Sequence, residues 1–156
     1  MIFTSRFTNS ELKENRYTTI RISLGTPKWN LGYQLDGAIE DLMPFGLLKT
    51  YSHDKELFKQ AYFKRLDAKG VKRIANQLMA YASLGRDIVL LCYEDITKDV
   101  DNWCHRTMFA EWWEARTGEK IEELHDPVIA LRKEKAQNKP TQDKILEDNQ
   151  ISMFEQ

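Results

Sequence analysis

The sequence predicts a small α/β fold, with a mostly parallel sheet of about four strands flanked by helices, then a C-terminal helix and a flexible tail. Strand-like and helix-like patterns alternate along the chain, which is typical of parallel sheets with helical connections. Ile88–Cys92 is an unbroken apolar run, and it suits a strand covered on both faces. So short a run could also belong to a buried helix. We interpret it as a strand.

The first part of the chain contains two strand patterns. Ile2–Thr4 opens an apolar-leaning run that ends at Arg6, and the polar segment Ser10–Arg16 favours a short helix capped by Ser10. Tyr17–Leu24 is rich in β-branched residues and alternates as a strand does. Lys28–Pro44 is irregular yet apolar, and ordered loops of this length are often functional.

Three helices follow from the spacing of apolar residues. His53–Ala68 begins with Asp54 as a cap candidate, and Val71–Ala82 repeats apolar residues at three and four positions. Asp101 and Asn102 are the N-cap candidates of the third helix. Its apolar stripe consists of Met108, Phe109, Trp112 and Ala115.

The C-terminal part favours a last strand and a last helix before a polar stretch. Lys120–Leu124 has a weak strand pattern, and Asp126-Pro127 is typical of a helix start. We therefore predict an α/β domain at residues 1–133, a polar linker at 134–149 and a short linear binding peptide at 150–156.

Composition limits the classes of function. The chain has 156 residues and a formal net charge of −1, which argues against a general nucleic-acid coat, because such binding relies on Lys and Arg neutralising phosphates. There are two cysteines, no signal-peptide pattern and no apolar run long enough to cross a bilayer. We expect a cytoplasmic protein with reduced thiols and no membrane partner.

The predicted site is Cys104, His105 and Arg106, in the first turn of the third helix. Unpaired N–H groups and the positive helix end there would favour a thiolate at Cys104 and an anion beside Arg106. Exposure at a loop-to-helix junction would make Cys104 a nucleophile or a ligand, although a first-turn cysteine can also simply pack.

A base for Cys104 is less obvious. Adjacent residues on a helix point about 100° apart, so Glu94 or His125 is a better candidate than His105. The candidate catalytic residues are Cys104, His105, Arg106 and Glu94.

Parallel strands would bring their following loops to one edge of the sheet, where ligands collect. That edge would carry Arg6, Lys28 and Arg106, and these cations imply an anionic small molecule or nucleotide as ligand.

Known cysteine motifs do not fix the chemistry. Arg106 follows Cys104 too closely for a phosphatase-type Cys-x5-Arg loop. Cys92 and Cys104, with either His105 or His125 and with Glu94, have suitable ligand types for a metal, and the set of Cys92, Cys104 and His125 is the stated alternative site. Their spacing matches no standard zinc knuckle. Cys92 also fits a small buried hydrophobe. The sequence does not identify a cofactor, and a metal site stays an alternative.

The runs VLLCYED and WCHRTMFAEWW resemble the bacterial family called domain of unknown function 488. The resemblance covers roughly residues 1–125 and depends on Cys92, Glu94, Cys104, His105 and Arg106. It implies a small α/β fold and no established reaction.

The C-terminal residues resemble the Gln-x-x-Leu-Phe type of peptide that binds the bacterial DNA sliding clamp. Gln150 would hydrogen-bond, while Ile151, Met153 and Phe154 would supply the apolar anchors. A polar linker before such a peptide suits tethering. The same apolar residues could instead fold back on the domain.

These observations favour a nucleotide- or nucleic-acid-directed enzyme with an anion-binding cysteine site, recruited to the sliding clamp in replication or repair. A non-catalytic adaptor of replication or repair proteins and a metal-binding protein are the alternatives.

Overall fold

The computed structural model describes residues 1–99 and 101–139. The remainder of the predicted linker and the peptide at 150–156 lie outside the described residues. One compact unit spans Met1–Asp126, and a second unit begins at Pro127.

The compact unit is built on one sheet, and every strand pair in it is parallel. The strands are β1 (Ile2–Arg6), β2 (Tyr17–Arg21), β3 (Gly37–Ala38), β4 (Asp87–Cys92) and β5 (Glu122–Glu123), in the spatial order β3-β2-β4-β1-β5. The predicted α/β class with a parallel sheet is confirmed. The additional strand is β3, which lies in the segment predicted to be an irregular loop.

Helices follow the strands as the alternation predicted. They are α1 (Leu47–Tyr51), α2 (Lys55–Lys69), α3 (Val71–Ala82), α4 (His105–Thr117) and α5 (Pro127–Gln137), with 3₁₀ turns at Ser10–Glu14 and Glu40–Leu42. The side chain of Asp54 caps α2 by accepting a hydrogen bond from the Leu57 N–H at 3.0 Å. Asn9, rather than Ser10, caps the first 3₁₀ turn. α5 forms part of the second unit, begins at Pro127 as predicted and continues to Gln137.

The sheet divides the core into two clusters. Ile88 and Leu90 of β4 belong to the larger cluster, which includes side chains of α1 to α4. Val89 and Leu91, which point to the other face, belong to a smaller cluster with Phe7, Leu12 and Leu124. β4 is therefore covered on both faces, as its apolar run predicted.

Among the helices of the described ranges, none combines the length and apolar character needed to cross a bilayer.

Candidate metal centre

The end of β4 and the start of α4 bring the two cysteines together. Cys92 is the last residue of β4, and Cys104 is the N-cap of α4. One ligand atom from each of Cys92, Cys104 and His105 lies within 4.8 Å of the other two. Residues twelve positions apart in the sequence thus form one cluster at the carboxyl-terminal edge of the sheet.

The local backbone explains why Cys104 and His105 can face each other. α4 was predicted to start after Asp101 or Asn102, but it begins at His105, and Cys104 has extended torsion angles of −140° and 145°. Cys104 is therefore outside the helix, and the expected 100° separation of helical neighbours does not apply. The helical argument against His105 as a base for Cys104 therefore does not hold at this position.

His105 uses both ring nitrogens in this cluster. Nδ1 lies 3.7 Å from the Cys92 sulfur and 3.8 Å from the Cys104 sulfur. Nε2 lies 2.8 Å from the carbonyl oxygen of Ile22, just after β2. A carbonyl oxygen only accepts, so Nε2 carries a proton and donates it. Nδ1 is left to face the two sulfur atoms.

These distances fit the edges of a tetrahedral metal site. Zinc–sulfur bonds of about 2.3 Å and zinc–nitrogen bonds of about 2.0 Å, at a tetrahedral angle, place nitrogen and sulfur about 3.5 Å apart. The observed separations of 3.7 and 3.8 Å are close to this value. A backbone carbonyl on the second ring nitrogen is the usual arrangement for a histidine that binds metal through the first.

The cysteines of this cluster are buried, which distinguishes them from an exposed catalytic nucleophile. Cys104 and Cys92 are each only 2% exposed, and both are free thiols. The exposure expected of Cys104 at a loop-to-helix junction was wrong, because the extended N-cap turns its side chain inward. Buried cysteines react poorly with external molecules, whereas a metal can use them fully.

The surroundings nevertheless favour negative charge on Cys104. Burial raises the pKa of Cys104, but hydrogen bonds with Cys92 and His105 and the charge of Arg106 outweigh it and hold the pKa well below the usual thiol value. Hydrogen bonding with Cys104 and burial both raise the pKa of Cys92. In the metal-free cluster, negative charge is thus favoured on Cys104 over Cys92, and both sulfurs lie next to the histidine.

Glu94 lies beside the cluster. Its Oε2 accepts a hydrogen bond from the Cys92 thiol at 2.9 Å. Burial raises the pKa of Glu94, and the nearby Cys104 raises it further. The carboxyl group is thus placed to hydrogen-bond a sulfur atom or a molecule that enters the cluster.

Arg106 is buried next to the cluster, with 1% of its surface exposed. Its Nε and Nη2 donate to the Glu123 carboxylate at 3.1 and 2.8 Å, and Glu123 also accepts from the Thr4 hydroxyl at 2.7 Å. Arg106 was predicted at a helix start in reach of an anion, but its guanidinium already faces a carboxylate. Its positive charge lowers the pKa of Cys104.

The other predicted site residues are not part of the cluster. Arg6 pairs with Asp126 at 2.7 Å and with Asp95 at 3.5 Å, and Lys28 is exposed. Anion binding by Arg6, Lys28 and Arg106 stays a prediction. His125 is exposed and is not part of the cluster, so His105 is the one of the two candidate histidines that joins the cysteines.

Three contributors to the site carried no recognisable signal in the sequence. The Ile22 carbonyl is a backbone atom, which no side-chain pattern reveals. Tyr62 packs the edge of its ring against His105 with centroids 5.8 Å apart, and it lies on a helical stripe that indicates only core. Glu123 belongs to a weak strand pattern.

A pocket of about 260 Å³ is lined in part by two of the three cluster residues, Cys104 and His105. Its lining residues are Leu48, Ser52, Phe58, Glu94, Asp101, Asn102, Trp103, Cys104 and His105.

Comparison with protein-family models, with curated proteins and with solved structures gave no match to this chain.

Proposed function

We propose that Cys92, Cys104 and His105 bind one transition-metal ion, and that zinc is the best fit. The observation that carries this proposal is the placement of the His105 Nδ1 almost equally far from both sulfurs, with Nε2 committed to a backbone carbonyl. Two thiolates and one imidazole are ligands that zinc prefers, whereas magnesium and calcium prefer oxygen.

Charge also supports a divalent ion. Two buried thiolates without a counter-charge would be costly, and a divalent cation neutralises them. The remaining buried charge, on Arg106, is paired with Glu123 at 2.8 Å. The charges of the two thiolates, Arg106, Glu123 and the divalent ion therefore sum to zero. Free thiols of this kind are consistent with the cytoplasmic location that we propose for the protein.

The test is the metal content of the purified protein, with histidine variants as matched controls. Protein purified without added metal and analysed by mass spectrometry should contain about one zinc per chain. His105→Asn should lower the affinity for zinc by more than about 100-fold. Loss of a residue that only hydrogen-bonds to a metal ligand already costs about 10- to 100-fold, and His105 is itself a ligand in this proposal. His125→Asn should not change it. Equal metal content in wild type and His105→Asn would reject the proposal.

A second function is supported by the sequence of residues 150–156. We propose that Gln150, Ile151, Met153 and Phe154 bind a bacterial sliding clamp and so recruit the protein to DNA replication or repair. Immobilised clamp should retain the wild-type chain and lose it after Gln150→Ala with Phe154→Ala. Retention of that double variant would contradict the proposal, and Cys104→Ser should still bind.

A further inference from the structure

We propose that the metal centre has an open coordination position, which faces the pocket and accepts a small uncharged molecule with a nitrogen or oxygen donor atom. This inference rests on the proposed function, since it needs the metal. An open position distinguishes a metal centre that binds or transforms a ligand from one that only stabilises the fold.

The number of protein ligands is the first observation. In the part of the chain that the structure describes, the cluster contains three donors, Cys92, Cys104 and His105. Glu94 is not a member of that cluster, although its Oε2 lies 2.9 Å from the Cys92 sulfur. Structural zinc sites usually have four protein ligands, whereas catalytic sites have three and leave a position for water or substrate.

The pocket is the second observation, because two of the three cluster residues, Cys104 and His105, line it. Cys104, His105 and Glu94 are among its lining residues. Trp103 and Phe58 form an aromatic part of the wall, with ring centroids 4.8 Å apart. The pocket therefore gives an incoming molecule space next to two of the three proposed metal ligands.

The charges of the lining define the class of ligand. Glu94 and Asp101 are acidic, and none of the described lining residues is a lysine or arginine. A divalent ion bound by two thiolates has no net positive charge left to attract an anion. An uncharged donor molecule is therefore favoured over a phosphate or carboxylate, which differs from the anionic ligand that the sequence predicted.

Size and polarity narrow the class further. A volume of about 260 Å³ is below the range of about 300–1,000 Å³ typical of pockets for drug-sized ligands. Aromatic walls suit a planar molecule, while Asn102 and Glu94 offer hydrogen-bonding groups beside it. Small nitrogen heterocycles and amides have these properties.

The experiment uses cobalt(II) as a spectroscopic substitute for zinc and imidazole as the probe. Cobalt bound by two thiolates in a tetrahedral site gives a thiolate charge-transfer band and visible bands that change when another ligand binds. Titration of the cobalt-loaded full chain with imidazole should shift the visible bands saturably, without loss of the thiolate band.

Pocket-filling variants show whether the probe uses this route. Ser52→Trp places a large side chain in the lining at an exposed position and should abolish the imidazole shift while cobalt still binds. Gln60→Trp, at an exposed position of α2 outside the lining, should respond as wild type does. Leu48→Trp, also in the lining, serves the same purpose if Ser52→Trp does not fold.

The possible failures are distinguishable. Cobalt that binds stoichiometrically but whose bands are unmoved by imidazole would overturn the open position and leave the metal centre intact. An imidazole shift that persists unchanged in the pocket-filling variants would also overturn it. Absence of cobalt binding would overturn both this inference and the proposed function.

Discussion

His105 is the residue on which the geometry of the cluster depends most. Its Nε2 donates to the Ile22 carbonyl, and its ring packs against Tyr62, so the direction of Nδ1 is fixed from two sides. A histidine prepared in this way loses little conformational freedom when it binds a metal. The same two contacts account for the choice of ring nitrogen, which a sequence does not specify.

Arg106 is the buried charge next to the cluster, and the side chain of its ion-pair partner, Glu123, is partly exposed to solvent. Glu123 has 35% of its side chain exposed, while Arg106 has 1%. Nη1 of Arg106 is buried and has no hydrogen-bond partner among the described residues. The guanidinium therefore depends on Glu123 for most of its compensation.

Removal of that carboxylate should destabilise the fold strongly. Glu123→Ala leaves a buried guanidinium without its ion pair, and we expect a loss of about 2–3 kcal/mol in the free energy of unfolding, below the fully buried value because Glu123 is partly exposed. Urea unfolding of the metal-free protein measures it. Glu122→Ala is the matched control, because Glu122 faces solvent and pairs with exposed Lys120, and should cost about 0.5 kcal/mol or less. Equal costs for the two variants would contradict this account.

Much of the residue composition of the site could be predicted from the sequence, but its internal contacts could not. The sequence predicted Cys104, His105 and Glu94 as candidate functional residues. The sequence nevertheless favours Glu94 or His125 over His105 as a base for Cys104, because adjacent residues on a helix point about 100° apart. Only the extended N-cap backbone of Cys104 reverses that conclusion.

At the scale of elements, predictability followed length and pattern. β4, α2 and α3 have long or unbroken apolar patterns, and the sequence predicted each of them. β3 has two residues and α1 has five, too few for a periodic signal. The start of α4 was misplaced because Asp101 and Asn102 are good N-caps by type, whereas Asn102 instead donates to the Asp95 carbonyl at 2.6 Å.

The 3₁₀ turn Glu40–Leu42 is tied to α3 by one carboxylate. Asp41 accepts hydrogen bonds from Arg73 at 2.6 Å and 3.2 Å and also from Gln77. Burial raises the pKa of Asp41, but the hydrogen bonds from Arg73 and Gln77 outweigh it, so the pKa is lower than usual.

A lowered pKa gives this link a defined dependence on pH. Its stabilising contribution is complete above the unfolded pKa of about 4 and is lost as the pH falls through the lower folded pKa. Asp41→Asn should therefore cost about 1 kcal/mol at pH 7 and progressively less below pH 4. Urea unfolding at several pH values measures the difference.

Glu40 provides the control for this link, because it is the neighbouring acid and is exposed. Glu40→Gln should leave stability within about 0.5 kcal/mol of wild type at each pH. An Asp41→Asn cost that stayed constant, or rose, on acidification would show that its charge is not the source of the effect.

At the scale of the compact unit, the cluster joins three parts of the chain that are distant in sequence. His105 connects α4 to the carbonyl after β2, and Cys92 ends β4. A metal held by these residues would bind the folded chain and not the unfolded one. Ligand binding of this kind stabilises the folded state by mass action.

Zinc should therefore raise the stability of the protein by an amount set by its concentration. Free zinc at 100 times its dissociation constant should add about 2.7 kcal/mol to the free energy of unfolding. Thermal unfolding with buffered zinc and with chelator measures the shift in unfolding temperature. Wild type and His125→Asn should show the full shift, and His105→Asn should show little. A full shift in His105→Asn would mean that zinc binds elsewhere.

The most direct measurement of the central claim is zinc-edge X-ray absorption on the purified protein. We expect two sulfur ligands at about 2.3 Å together with nitrogen or oxygen ligands at about 2.0 Å. The sulfur shell should shrink to one ligand in Cys92→Ser and likewise in Cys104→Ser. A zinc environment without sulfur, or one that neither substitution alters, would contradict the claim that these two cysteines and His105 form a metal centre.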